Sequence, residues 1–239
     1  NIATRGIPKD MVSKVQVLEN HQPVNVLKDL EKSESAAMNI VLKDKARIKI
    51  IGTGDAALGT PDVYNVTANA MLFRKQVKFI NYVKMNNMGV DNSDETFNHF
   101  SGDNVQPVSI LNAGTGNPDL LKKRYLFNNV GLVNVNNLIN LRHDYQLRIN
   151  AFYLWDRRYQ SSQFSSVYFL PNDTISYAEK QNAQIINNTF NTQFTLVANK
   201  KDYYFNNVTV LENTPSRVLS DLQATSNNNI IKHLNVLLR

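Results

Sequence analysis

The side chains able to do chemistry are few and dispersed. The four histidines, His21, His99, His143 and His233, share no metal-ligand spacing with one another. Carboxylates gather only in "DNSDE", Asp91 to Glu95. Such oxygens can hold Ca²⁺, but the spacing and glycine of an EF-hand loop are missing, so the stretch reads as a solvated loop. "AGTGNPD", Ala113 to Asp119, contains a G-x-G. A phosphate-binding loop also needs a preceding strand, a third glycine and a following helix, and Asn117-Pro118 makes a turn instead. Serine, histidine and aspartate are present, but not as a nucleophile elbow. The absence of cysteine excludes thiol chemistry, disulfides and Cys-based zinc sites. The N-x-S/T triplets at Asn65, Asn172, Asn187 and Asn207 are what an Asn-rich chain produces by chance. The expectation is therefore no catalytic residue, no metal and no cofactor, in a protein that binds rather than reacts.

Composition narrows the class. The chain has 239 residues, 42% hydrophobic and 19% charged; the charged share is below the ~25% usual for soluble domains. Its net charge is +6, yet Lys and Arg are scattered apart from Lys122, Lys123 and Arg124. Nucleic-acid binding needs them gathered on one face, so no nucleic-acid partner is expected. The chain opens at Asn1 without a signal peptide, which reads as a processed or cut terminus. No run of ~18 apolar residues exists, so no transmembrane helix is expected. Transmembrane strands remain open, being short, alternating and individually weak in sequence.

The elements that would position any site read as strands. "DMVSKVQVLEN" gives a short strand, "PVNVLKDLEK" one helical turn or an irregular loop with Pro23 at its start, and "SAAMNIVLKD" a second strand. From Ala46 strand follows strand. "ARIKIIGTGDAAL" sets Ile48, Ile50, Gly52, Gly54 and Ala56 against Arg47, Lys49, Thr53 and Asp55. "VYNVTANAMLF" sets Tyr64, Val66, Ala68, Ala70 and Leu72 against Asn65, Thr67 and Asn69. "VKFINYVKM" and "YLFNNVGLVNVNN" alternate less cleanly. In "DYQLRINAFYLW", Tyr145, Leu147, Ile149, Ala151, Tyr153 and Trp155 oppose Gln146, Arg148 and Asn150. "TFNTQFTLVAN" sets Phe190, Phe194, Leu196 and Ala198 against Thr189, Asn191, Gln193 and Thr195. "YYFNNVTVLE" and "NIIKHLNVLL" complete about eight strands.

The connections alternate in length. Short turns are expected at "RKQ", at 138–143 and at "NKKD". Longer segments are expected at 86–124, at 157–186 (with a hairpin around "FLPNDTISY") and at 213–227; "LGTPDV" is the exception. In an up-and-down sheet, alternate connections share a side, and short turns opposite long loops describe an outer-membrane barrel. Tyr145 to Trp155 has the ~9–11 residues of a tilted transmembrane strand, with aromatic ends suited to the interfaces. Arg148 would cost ~2–4 kcal/mol on the lipid side at the midplane, and parity places it with Gln146 and Asn150. A solvent face would welcome the same polar residues. A soluble or surface-attached β-sandwich adhesion or carbohydrate-binding module is therefore the alternative, and a complete eight-stranded barrel a third reading.

A resemblance adds to this. "IPKDMVSKVQVLENHQPVNVLKDL", Ile7 to Leu30, followed by "SAAMNIVLK", Ser35 to Lys43, resembles the C-terminal part of the plug in TonB-dependent outer-membrane receptors. Ile7, Pro8, Val12, Val15, Val17 and Leu18 match one family element, and Met38, Asn39, Ile40 and Lys43 the next. Gln16 stands where the family usually has Glu, and Ala37 in a Gly-rich approach. "LLKKRYLFNNVGLVNVNNLINLRHDYQLRINAFYLWDRRYQ" and "VYFLPNDTISYAE" look like strands of the Bacteroidetes-type branch. The resemblance implies an all-β, mainly antiparallel, partial transmembrane barrel of about eight up-and-down strands over 46–239. The C-terminal part of a small α+β plug, 1–45, would precede it. Since the family's barrels resemble the 22-stranded plugged transporters, the chain is expected to be an internal fragment.

The function implied is binding of an extracellular nutrient and its energy-coupled import across a bacterial outer membrane. The partners implied are outer-membrane lipid and a small-molecule, oligosaccharide or peptide nutrient. A surface lipoprotein is a further partner, and TonB would act only through the missing N-terminal segment. The external segments at about 86–124 and 157–185 are expected to carry the ligand surface, with Phe97, Phe100, Tyr159 and Tyr168 as candidate contacts.

Overall fold

The structure, a computed structural model, describes residues 9–28, 30, 36–43, 50–92, 118–141, 144–227 and 229–238. It is all-β with antiparallel sheets. Two strands, β1 (Val12–Leu18) and β2 (Ala37–Leu42), pair with each other, with a short 3₁₀ turn at Asn25–Leu27 between them. That turn occupies the segment for which sequence offered a helical turn or a loop.

The remaining strands form one nine-stranded sheet. They are β3 (Ile51–Gly59), β4 (Val63–Phe73), β5 (Val77–Asn86), β6 (Phe127–Asn140), β7 (Tyr145–Leu170), β8 (Asp173–Asn199), β9 (Tyr204–Asn213), β10 (Ser216–Ser226) and β11 (Asn229–Leu238). From β3 to β8 each strand pairs with the next. β9 and β10 then lie end to end along the same edge of β8. Phe190 pairs with Asn213 and Asn187 with Ser216, so both runs keep one register. Thr214 and Pro215 interrupt what is otherwise one long strand, and the Asn188 N–H still donates to the Pro215 carbonyl at 3.0 Å. Pro215 has no N–H to give a ladder. Counted this way, the sheet is an eight-strand meander, in agreement with the sequence count.

Two of the longer connections are strand instead. The segment 157–186 continues β7 and β8, and the hairpin expected around "FLPNDTISY" is their turn. β7 and β8 pair without a break from Tyr145↔Ala198 to Leu170↔Asp173, turning at Pro171–Asn172. Their 26 and 27 residues, at ~3.3 Å each, make a ribbon roughly 80 Å long. The segment 213–227 is strand β10 rather than a loop. Among the described residues the sheet stays open, as expected of an incomplete barrel and unlike the complete eight-stranded one: β3 and β11 end it and do not pair with each other. The connection between β5 and β6 is long, as expected. The connections after β4, β6 and β8 fall together at the opposite end.

Antiparallel pairing puts paired residues on one face, so each row across the sheet can be read directly. One row runs Thr53, Asn69, Tyr82, Asn134, Phe152, Asn191, Glu212. The next, on the opposite face, runs Gly54, Ala68, Val83, Val133, Tyr153, Phe190, Asn213. The first face takes every Asp, Glu, Lys and Arg of β3 to β6 and of β9 (Asp55, Lys78, Lys84 and Glu212), together with Arg148 of β7. It also carries the cluster of Tyr82, Val130, Leu132, Phe152 and Leu154. The small N-terminal unit sits on this charge-bearing face: Met11 packs against Ile51, Met71, Ile80 and Phe73, all on it.

A second contact ties that unit to the short-turn end. The Asn25 N–H donates to the Asn199 Oδ1 at 2.8 Å, the Asn25 side-chain amide to the Asn199 carbonyl at 2.8 Å, and the Asn199 amide to the Pro23 carbonyl at 2.7 Å. Removing a hydrogen-bonding side chain typically costs about 1 kcal/mol per bond. Asn199→Ala is expected to loosen 21–28 by about 1–2 kcal/mol, leaving the large sheet intact. Limited proteolysis would then cut this segment faster, and an unchanged cutting rate would show the clasp to be dispensable.

Candidate membrane face and binding surfaces

The face opposite the charges has the geometry of a membrane belt. On β4 to β8 it carries mostly apolar residues, among them Val66, Ala70, Phe79, Val83, Val133, Ile149, Ala151, Tyr153, Phe190 and Phe194, with Asn81, Asn137 and Thr192 between them. Between the rows through Tyr145 and Trp155 it has no Asp, Glu, Lys or Arg among the strand residues. That band is about 33 Å along the strand at ~3.3 Å per residue. A tilt of ~40° reduces it to about 25 Å, the height of the apolar belt of an outer-membrane barrel.

Burial concentrates on the charge-bearing face, where the apolar cluster and Asn134, Asn136 and Asn150 are all buried, Asn136 to 1% exposure, whereas Tyr153 and Phe190 on the charge-free face stay 43% and 44% exposed. Arg148 lies on the polar side as parity requires. Its Nε donates to Gln146 Oε1 at 3.0 Å, and Gln146 donates onward to Asn140 Oδ1 at 2.9 Å.

Aromatic residues mark both ends of the band. At the short-turn end the Tyr145 and Tyr203 hydroxyls lie 3.0 Å apart, and Lys200 Nζ sits 5.5 and 4.9 Å from their ring centroids. The Tyr203 hydroxyl holds the Lys200 ammonium above its ordinary pKa. Hydrogen bonds with Tyr145 and Lys200 in turn draw Tyr203 below its own. At the other end Trp155 packs against Tyr153, centroids 5.8 Å apart, and lies over its pair partner Gly131. A Cβ at Gly131 would sit 1.9 Å from the indole Cζ2, so only glycine admits the ring there. Gly131→Val is expected to displace Trp155 at a cost of about 1–3 kcal/mol. Trp155 is the chain's only tryptophan, so its emission reads the change directly. An unshifted spectrum would mean the indole does not cover Gly131.

The long β5–β6 connection is clamped at both feet on the charge-bearing side. The Gly89 N–H donates to Asn128 Oδ1 at 3.2 Å, and the Asn128 amide returns a bond to the Val90 carbonyl at 3.0 Å. Gly89 has φ +75°, and a Cβ there would meet the Leu126 carbonyl at 2.8 Å. Asp91 lies 3.0 Å from Lys122 Nζ and 3.6 Å from Arg158 Nη2, while Arg158 also pairs with Asp156. The two ends of the connection and β7 thus share one ion-pair network.

The candidate ligand contacts are not one constellation. Tyr159 and Tyr168 lie on the same strand but on opposite faces, about 30 Å apart along it at ~3.3 Å per residue, and both are exposed. Tyr168 belongs to the ribbon's apolar tip with Phe164, Val167, Phe169 and Leu170. That tip extends past the end of β10, whose last residue Ser226 pairs with Tyr177. Tyr159 accepts a bond from Gln184 Nε2 at 3.2 Å and lines a groove of about 1100 Å³ with Phe127, Asn182 and Leu219. Phe97 and Phe100 lie outside the described residues, as do Gly114, Gly116, His99, His143 and Glu95. Among the described residues no cluster of His, Asp and Glu could hold a metal ion, and no helix is long and apolar enough to cross a membrane.

No protein-family model, curated protein or solved structure matches the chain. Sequence reasoning missed the groove, the clamped loop feet and the Asn25–Asn199 clasp. Each joins residues far apart in the chain, and only strand pairing brings them together.

Proposed function

We propose that this chain is part of a TonB-dependent receptor of a bacterial outer membrane, one that binds an extracellular nutrient and imports it by energy-coupled movement of a plug. The observation that carries the reading is the division of the sheet: a charge-free face about 25 Å tall under a ~40° tilt, backed by a face of buried amides and charges. A membrane-spanning wall needs both at once, apolar outward and polar toward a lumen. Two further features support it. The N-terminal unit packs on the polar side, where a plug belongs, and the long β5–β6 connection and the β7–β8 ribbon extend from the end opposite the turns at 74–76 and 200–203, where external segments belong. Within this reading β3 and β11 meet further strands, since an open edge in hydrocarbon leaves backbone groups unsatisfied.

The work of such a protein is capture and release. The long connection and the β7–β8 ribbon present amide and aromatic side chains outside, the plug blocks the lumen, and a pull on its N-terminal side opens a path. The test uses Trp155. The chain is refolded into phosphatidylcholine vesicles in which some lipids carry bromine near the headgroup or deep in the acyl chain. Headgroup-level bromine is expected to quench Trp155 more strongly than deep bromine. Emission untouched by either lipid, from protein that stays monodisperse in buffer without detergent, would overturn the reading.

A further inference from the structure

One edge of the ribbon is left open. β6 accompanies β7 only as far as Phe127↔Tyr159, while β8 stays with β7 to Leu170↔Asp173. From Gln160 to Leu170 the β6-side edge of β7 pairs with no described strand, a run of roughly 36 Å at ~3.3 Å per residue. Which residues face that edge follows from the turn at the other end. The Leu141 N–H donates to the Tyr145 carbonyl at 2.7 Å on the β6 side, and the Asn199 N–H to the Asp144 carbonyl at 3.5 Å on the β8 side. Backbone groups of successive residues point to alternate sides of a strand, and the β7–β8 register has no shift. Odd-numbered residues therefore point N–H and C=O toward β6 as far as Tyr159. Beyond it Ser161, Gln163, Ser165, Val167 and Phe169 point theirs at no described partner.

Exposed edges are ordinarily blunted by charge, proline or a bulge. Here Tyr159 to Leu170 contains no Asp, Glu, Lys, Arg, Pro or Gly, and the ladder behind it is regular. The end of the edge nearest β6 is furnished for a ligand. The groove of about 1100 Å³ opens there, lined by Tyr125, Phe127, Tyr159, Ser161 and Leu219. The 3₁₀ turn Lys122–Arg124 leads into β6 at the same end. Lys122 is held by Asp91. Lys123 and Arg124 are exposed, and neither is in an ion pair with a described residue.

We propose that this edge captures an extended peptide by strand addition, its C-terminal carboxylate at Lys123 and Arg124 and an apolar last side chain in the groove. Direction fixes the polarity. A strand antiparallel to β7 runs the same way as β6 and ends where β6 begins, beside that turn. Main-chain bonds give affinity indifferent to sequence, and the groove gives preference for the last residue. Ammonium and guanidinium donors make charge-assisted bonds to a carboxylate. A second copy of the chain does not fit. In one membrane its β7 leaves the bilayer in the same direction, whereas two edges paired antiparallel run in opposite ones. The inference rests on the membrane reading, which puts the ribbon outside, and it narrows the nutrient to peptide.

The test uses the protein refolded in a non-ionic detergent. The probe is a fluorescein-labelled peptide of alternating threonine and valine that ends in phenylalanine with a free carboxylate, and binding is read by anisotropy. N-methylation of one alternate set of its residues is expected to cost at least tenfold in affinity and of the other set far less, because only one set faces β7. The C-terminal amide should bind several-fold more weakly than the acid, and maltohexaose should not compete. Ser165→Pro removes one outward N–H and spares the β8 ladder. It should lower affinity tenfold or more with Trp155 emission as in the parent. Lys123→Ala with Arg124→Ala should make acid and amide bind alike. Should Ser165→Pro fail to fold, the methylated peptides decide the matter on the parent protein. Full affinity for both methylated sets, competition by the sugar, or no peptide binding would overturn the inference with the membrane reading untouched. Failure of the parent to enter lipid in the Trp155 quenching experiment would overturn the reading beneath it.

Discussion

Ala151→Arg is expected to prevent assembly in the outer membrane, whereas Gln193→Arg, one row away on the other face, is expected to be tolerated. Ala151 lies near the middle of the charge-free band, between Val135 and Thr192 in its row. If this face meets lipid, as proposed, an arginine there costs about 2–4 kcal/mol at the midplane, a large fraction of the 5–15 kcal/mol that holds a typical domain together. Gln193 pairs with Asn150 on the face that already holds Arg148 and Lys84, so a cation there meets polar neighbours. The measurement is the folded fraction in outer-membrane preparations, read from gel mobility with and without boiling. A water-exposed face would make Ala151→Arg nearly neutral, so equal folded fractions for the two variants would remove the membrane belt.

Excising 93–117 is expected to abolish nutrient uptake while leaving assembly intact. The argument lies in the feet of the connection. Asn86, Gly89, Val90 and Asn128 bind one another, and Asp91 bridges Lys122 and Arg158. All of these remain when the residues between are replaced by a short Gly-Ser link, so β5 and β6 keep their register. Uptake of labelled oligosaccharides and peptides should fall at least tenfold, with the boiled and unboiled mobilities unchanged. Uptake at the parental rate would remove the segment from the ligand surface. Excision beginning at 86 would instead break the clamp and confuse binding with assembly.

Much of the fold can be read from alternation, and the places where it fails have physical causes. Tyr145 to Trp155, Tyr64 to Leu72 and Phe190 to Ala198 separate their faces cleanly, because each strand lies between two unlike environments. "RRYQSSQFSSV" carries no such signal: past Trp155 polar residues fall on both faces, and backbone pairing with β8 keeps it extended. The turn itself was legible: the hairpin expected around "FLPNDTISY" bends at Pro171–Asn172. β10 hides for a related reason. Val218, Ser220, Leu222 and Ala224 share one face and Leu219, Asp221 and Gln223 the other, so neither side reads as apolar, and Pro215 suggests a break. Among the candidate contacts, exposure was legible for Tyr159 and Tyr168. Their opposite faces follow from strand parity, which applies only once the segment is known to be strand.

The unbroken β7–β8 ladder has a consequence for error during folding. A slip of one position between two strands brings opposite faces together. Because every pair from Leu170↔Asp173 to Tyr145↔Ala198 shares one phase, a single mistake at the tip would propagate the whole length. Arg148 and Arg158 would then be aligned with Leu196 and Ile186. A hairpin of this length cannot correct an odd slip partway: it zips true from Pro171–Asn172, or it sets its cations against apolar side chains along its length.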